Sequence, residues 1–180
     1  MFISNKGYGN EQVTGVFMLK YTIGFIKRGN EILMLNRNKA PDMGKWNGIG
    51  GKFEEGETPL DCIIREAYEE TGIRFQEENL FYTGAVTWES ENGSAGMYAF
   101  IYEVPIDFEY RAPIETQEGI LCWKKIDWVC NLNNIGVVGH VPHFLPVMLT
   151  DNNLYEHRFN FKKNVSNIYE KVPLSNDLIY

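Results

Sequence analysis

Apolar and polar positions along this chain follow the two-residue period of strands, then the period of one helix, then that of strands again. From Val13 to Lys27, β-branched and aromatic residues alternate with others, and Glu31 to Leu35 resumes the theme after Arg28-Gly29-Asn30, which predicts a hairpin. Asn36 to Asn47 reads as a polar loop that runs into the glycine-rich turn Gly48-Ile49-Gly50-Gly51-Lys52. Leu80 to Ser90 and Met97 to Val104 read as strands joined by Glu91-Asn92-Gly93-Ser94-Ala95-Gly96, and Gly119 to Lys124 as another. A helix is expected over His143 to Leu149. Tyr155 to Phe161 and Ile168 to Val172 suggest a last hairpin, with loose termini.

The best-defined element lies between these sets of strands. Thr58 supplies an N-cap hydroxyl, Pro59 suits the first helical position, and Asp61 places an acid in the first turn. Gly72 suits a left-handed C-terminal cap, so the predicted helix runs from Pro59 to Thr71. Leu60, Ile63, Ile64 and Ala67 form its apolar side, and Glu66, Glu69 and Glu70 share another face. The order of elements implies a mixed sheet held between helices, in the α/β class.

Composition adds limits. The 180 residues support one domain with a proper core, expected over 13–175 with residues 1–12 as a loose extension. A net charge of −7 without basic clusters argues against a nucleic-acid polymer as partner. No apolar run approaches the ~20 residues of a membrane span, and the first residues lack the apolar stretch of a secretory signal. Cys62, Cys122 and Cys130 show no C-x-x-C spacing, which suggests neither a disulfide framework nor a zinc site. The expected compartment is the cytoplasm; oligomeric state is not legible.

The acidic residues Glu54, Glu55, Glu57, Asp61, Glu66, Glu69 and Glu70 crowd one short segment. Carboxylates so dense repel one another unless a cation binds them, and a hard divalent ion with oxygen ligands is the natural partner. The arrangement is Gly51, five residues, Glu57, seven residues, Arg65-Glu66-Ala67, one residue, Glu69-Glu70, one residue, Gly72-Ile73. At every specified position it resembles the signature of the Nudix hydrolase family. The resemblance implies an α/β/α sandwich and Mg²⁺- or Mn²⁺-dependent cleavage of a nucleoside diphosphate linked to a further group. It makes Glu66, Glu69 and Glu70 metal ligands together with the carbonyl of Gly51, and Arg65 and Glu57 the pair that orients helix and loop. An ordinary Arg65–Glu69 ion pair one turn apart is the plainer alternative. A polyphosphate substrate cannot enter a carboxylate cluster without cations, so the ions would bridge protein and phosphates and lower the pKa of a water. Glu66 and Glu118 both remain open as the base that takes its proton.

Residues outside the signature bear on the substrate. Gly44 to Lys52 resembles the same stretch in the MutT-like branch, which hydrolyses oxidised purine nucleoside triphosphates such as 8-oxo-dGTP to the monophosphate and pyrophosphate, cleansing the nucleotide pool for DNA repair. That resemblance gives Asn47 the purine edge, for which an amide has a donor and an acceptor side by side, or else only an unusual turn. Glu118 matches an extra glutamate of that branch. Trp88 and Met97 fall where an aromatic and a thioether flank the base, although either could be core filler. Lys52 and Arg37 are cations beside the expected phosphate path. The resemblance breaks at Ile135 to His143, which holds no carboxylate where the branch has acids; His140 could substitute, and the spacing of His140 and His143 is no zinc site without further ligands. Two other readings stay open: a Nudix pyrophosphatase of ADP-ribose, a dinucleotide or a nucleotide sugar, and a nucleotide-sensing domain without catalysis.

Overall fold

The first two strands show how the sequence builds two cores at once. Along β1 (Tyr21–Arg28) and β2 (Glu31–Arg37), successive side chains point to opposite sheet faces. Phe25, Ile32 and Met34 enter one apolar cluster, while Ile26, Leu33 and Leu35 enter another. A strand apolar on both faces must be covered on both. This computed structural model describes residues 19–91, 93–162 and 168–179.

The elements that follow are β3 (Trp46–Asn47), α1 (Pro59–Thr71), a 3₁₀ turn at Glu77–Asn79, β4 (Leu80–Ser90), β5 (Gly93–Val104), β6 (Ile114–Glu115), β7 (Gly119–Lys125), α2 (Ile126–Val129), α3 (Val141–Thr150), β8 (Tyr155–Asn160), β9 (Tyr169–Pro173) and a 3₁₀ turn at Asn176–Leu178. One mixed sheet runs in the order β6-β7-β2-β1-β5-β4-β8-β9, with β3 paired to β2. The contacts β1·β5 and β4·β8 are parallel and the other ladders antiparallel. α1 covers one face, where Ile63 and Ala67 pack with Leu35, Phe100 and Leu121. α3 covers the other, where Phe144, Leu145 and Met148 pack with Phe25, Met34 and Ile101. This is the expected α/β/α sandwich. Among the described residues, no helix is long and apolar enough to cross a membrane.

α1 has the expected limits for the expected reasons. The Asp61 N–H donates to Thr58 Oγ1 at 3.2 Å and the Thr58 N–H donates to Asp61 Oδ2 at 3.1 Å, which closes a capping box. Gly72 ends the helix at φ 74° with its N–H on the Tyr68 carbonyl. The helix lies close to the sheet because Gly24 of β1 faces Ile63, where an added methyl would collide.

Four expectations change. Strand β1 starts at Tyr21 instead of Val13, and residues 13–18 lie outside the described residues. The polar stretch Asn36–Asn47 is loop only in its middle, since β2 reaches Arg37 and Trp46–Asn47 pairs with Leu35–Asn36. β5 begins at Gly93 instead of Met97: backbone pairing carries the ladder out to Ser90↔Gly93, beyond any apolar alternation. The helix expected from His143, α3, begins at Val141, with Pro142 in its first turn.

Candidate active site

The glycine-rich turn is held against β1 by mutual backbone bonds: the Gly24 N–H donates to the Ile49 carbonyl at 2.6 Å and the Ile49 N–H to the Gly24 carbonyl at 2.9 Å. Gly50 sits at φ 140° directly over the Thr22 carbonyl, a place no side chain could occupy. The turn therefore lies flat between β1 and the acidic face of α1. A cleft of about 1200 Å³ opens there. Gly51, Lys52, Glu66, Glu69, Glu70, Glu118, Asn47, Arg37, Trp88 and Met97 all line it, so ten of the twelve residues picked out from the sequence share one wall system.

The remaining two, Arg65 and Glu57, stand behind it. Arg65 Nε and a terminal nitrogen donate to the two Glu57 carboxylate oxygens at 2.6 and 3.0 Å, a bidentate pair. The same guanidinium donates to Glu66 at 2.9 Å, to Glu69 at 3.2 Å and to the Lys52 carbonyl at 3.1 Å. Glu57 in turn accepts the Glu54 N–H at 2.7 Å. The hydrogen bond from Arg65 holds the Glu57 carboxyl down to about 2, and Glu57 drives the Arg65 pKa upward. Both sequence readings of Arg65 are thus present: it bonds Glu69 one turn on, and it ties helix to turn. Cys62 sits beside this network, and burial pushes its thiol up to about 11, so it is not a ready nucleophile.

Glu70 is 8% exposed and accepts the Gly50 N–H at 3.1 Å. Burial pushes its carboxyl up to about 8, against the pull of that hydrogen bond; Glu66 and Glu118 push the same way and Arg37 opposes them. Burial also raises the pKa of Glu66, which is opposed by the hydrogen bond from Arg65. Gly51 touches Glu66 so closely that a Cβ there would overlap both carboxylate oxygens. Its carbonyl accepts the Thr22 N–H at 2.9 Å and, weakly, the Cys62 thiol at 3.9 Å.

Would a hard divalent ion fit? Among the described residues no three carboxylate, imidazole or thiol groups converge as a ready coordination sphere. Each acid is held singly: Glu66 and Glu69 by Arg65, Glu70 by the Gly50 N–H, and Glu118 by Lys39 at 2.8 Å. The donor set is nonetheless all oxygen, and burial raises the pKa of its enclosed members, Glu66 and Glu70. Those are the groups a cation would relieve.

The other positions resolve as follows. Asn47 Oδ1 accepts the Gly48 N–H at 2.9 Å, so the residue does support the turn while lining the cleft. Met97 is buried in the α3-side core and Trp88 packs against it, each with one side on the cleft. Arg37 Nε donates to the Pro41 carbonyl at 3.0 Å, which ties down the loop above the site. Lys52 is exposed, and among the described residues no carboxylate pairs with it. Sequence reasoning missed Asp42 and Lys39, which only the folding of residues 38–45 brings to this end of the molecule. His140 lines the cleft, with its ring stacked on Phe144 at 5.8 Å.

Comparisons with known proteins bear on the family and the fold. Residues 18–145 match the NUDIX domain. The chain is 28% identical over 109 residues to the oxidized purine nucleoside triphosphate hydrolase of Mus musculus, covering 61% of this chain and 67% of that one. It is 36% identical over 80 residues to the NAD-capped RNA hydrolase NudC of Haemophilus influenzae, covering 43% of this chain but only 30% of that one. Among solved structures, the MutT protein from Bacillus halodurans superposes with a TM-score of 0.68 over 88% of this chain and all of its own, at 23% identity.

Proposed function

The chain belongs to the Nudix family, hydrolases of acid anhydrides in nucleotide-type substrates, and within it we propose hydrolysis of a purine nucleoside triphosphate, oxidised dGTP above all. The observation that carries this reading is that Asn47, Trp88 and Met97 share one continuous cleft with the acidic face of α1. Supporting it are the mouse relative, whose name specifies oxidised purine nucleoside triphosphates, and the Gly44–Lys52 stretch.

In this proposal the base enters between Trp88 and Met97, with the Asn47 amide on its edge. Lys52 and Arg37 meet the phosphates. Mg²⁺ or Mn²⁺, when bound by Glu66, Glu69, Glu70, Glu118 and the Gly51 carbonyl, would neutralise the polyphosphate and acidify a water. Arg65, locked by Glu57, keeps α1 and the glycine turn in fixed relation, so the carboxylates need not reorganise during the reaction. Water adds to phosphorus in line, the bridging P–O bond breaks, and nucleoside monophosphate and pyrophosphate leave. Glu66 or Glu118 takes the water's proton, since both face the cleft. The expected setting is the cytoplasm.

The NudC similarity gives one specific alternative, a substrate in which two nucleotides share the pyrophosphate. A panel of oxidised dGTP, dGTP, dATP, ADP-ribose and NAD, followed by product chromatography, separates the two. Preferred release of pyrophosphate from oxidised dGTP is expected; equal or faster cleavage of ADP-ribose or NAD overturns the proposal.

A further inference from the structure

The ladder between β2 and β7 ends at Arg37↔Gly119, and Asn38 carries the pairing one step further. The Asn38 N–H donates to the Glu118 carbonyl at 3.0 Å, and Asn38 Nδ2 donates to the Gln117 carbonyl at 3.0 Å. Lys39 follows, and its Nζ donates to Glu118 Oε1 at 2.8 Å. Two consecutive residues after β2 thus grip two consecutive residues before β7 through three hydrogen bonds.

Both sides of this contact are braced. On the β7 side, the Thr116 N–H donates to the Gly119 carbonyl at 2.8 Å, and Thr116 Oγ1 accepts the Glu118 N–H at 3.2 Å. Gly119, at φ 147°, lies so close to the Asn36 carbonyl that a Cβ would overlap it. On the β2 side, Arg37 Nε donates to the Pro41 carbonyl at 3.0 Å and the Arg37 N–H to the Lys45 carbonyl at 3.1 Å. The N–H, the carbonyl and Oε1 of Glu118 are therefore all engaged. Among the described residues, nothing donates to its Oε2. Glu118 lines the cleft, and its charge adds to the rise in the Glu70 pKa, so this carboxylate acts toward the acidic face of α1.

We infer that Asn38 and Lys39 are positioning residues for Glu118. Asn38 sets where the turn stands, and the Lys39 ammonium holds one carboxylate oxygen so that the other is presented to the cleft. Neither residue lines the cleft, so both act through Glu118 and not on the substrate. The Lys39 and Glu118 side chains are 60% and 39% exposed, and an ion pair so open to water adds little stability. Its consequence is directional. A glutamate side chain is long and free to rotate, and fixing one oxygen removes that freedom before a ligand arrives. Hydrogen-bond partners that orient a ligating carboxylate influence metal affinity and rate without touching the metal.

This inference rests on the proposed reaction, in which Glu118 is a cation ligand or the base, and the test separates the two. Calorimetric binding of Mn²⁺, and kcat and KM for oxidised dGTP with Mg²⁺, are compared across variants checked for folding by circular dichroism. The variants are Asn38→Ala, Lys39→Met, the conservative Lys39→Arg, Glu118→Gln, and Lys39→Met combined with Glu118→Gln. Asn38→Ala and Lys39→Met are each expected to lower Mn²⁺ affinity and kcat by ~10-fold while KM stays within about twofold. Lys39→Arg should restore most of both, and in the Glu118→Gln background Lys39→Met should add no further loss. A loss in either readout that Lys39→Arg repairs and Glu118→Gln absorbs supports the inference. Unchanged values in Lys39→Met or in Asn38→Ala overturn the assignment of that residue, and an undiminished loss from Lys39→Met beside Glu118→Gln overturns its action through Glu118. If no nucleoside triphosphate is hydrolysed, yet Mn²⁺ binding weakens in this pattern, the triphosphate reading falls and the positioning stands.

Discussion

Gly51 and Glu66 are in such close contact that a single methyl group on the glycine would overlap the carboxylate. The turn before α1 and the acid on α1 are thus fitted to each other, and what lies between them is sensitive to one carbon atom. Gly51→Ala is expected to leave the fold intact but displace Glu66. Turnover should fall by ~10²-fold, the usual cost of misplacing a reactive group by about 1 Å. Kinetics together with circular dichroism check this; unchanged kcat would mean that Glu66 has no fixed place in the site.

Arg65 gives a second outcome. Lysine offers a point charge in place of a fork, so Arg65→Lys should lose the bidentate bond to Glu57 and the bond to the Lys52 carbonyl. Activity is expected to drop far more than nucleotide affinity. In thermal unfolding, the double variant with Glu57→Gln should be less destabilised than the two single variants summed, with a coupling of ~1 kcal/mol or more.

Glu70 sets a trade between stability and function. Its folded pKa of about 8 lies above its ordinary 4.5, so between those values the folded protein holds a proton that the unfolded chain has released. Stability of the metal-free protein must then fall as pH rises through that window. Glu70→Gln should remove this slope and raise the melting temperature in EDTA at pH 8, while hydrolysis is lost. A lower melting temperature at pH 8 would contradict it.

His157 works in the opposite sense. Burial holds its imidazole at about 4, below its ordinary 6.5, so the unfolded chain binds the extra proton first. Stability should therefore rise with pH between 4 and 6.5. In a Glu70→Gln background, His157→Phe should reduce that rise in denaturant titrations across the window, leaving the part due to His140, whose imidazole burial also holds at about 4.

These residues also show how far the sequence could be followed. α1 was legible to the residue because Thr58, Pro59, Asp61 and Gly72 each determine its ends through local chemistry. The signature acids were legible because helical spacing puts Glu66, Glu69 and Glu70 on one face. β3 and β6 were not, because two-residue strands exist only through the partners that tertiary folding brings them, Leu35–Asn36 for Trp46–Asn47 and Leu121–Ile120 for Ile114–Glu115. α2 is one turn long, too short for periodicity to mark. The start of β5 was hidden for a related reason, since Gly93, Ser94 and Ala95 pair through backbone alone. Asp42 and Lys39 carry no spacing signal; their places depend on a loop held by Arg37, Asn36 and Gly44.

In the proposed function, the acidic face of α1 holds divalent cations at the head of the cleft. Titrating Mg²⁺ and Mn²⁺ by calorimetry into the wild type, and into a variant carrying Glu66→Gln, Glu69→Gln and Glu70→Gln together, tests it directly. Saturable binding by the wild type, absent in the folded triple variant, is the expected result. Equal binding by both proteins, or none by either, would contradict it.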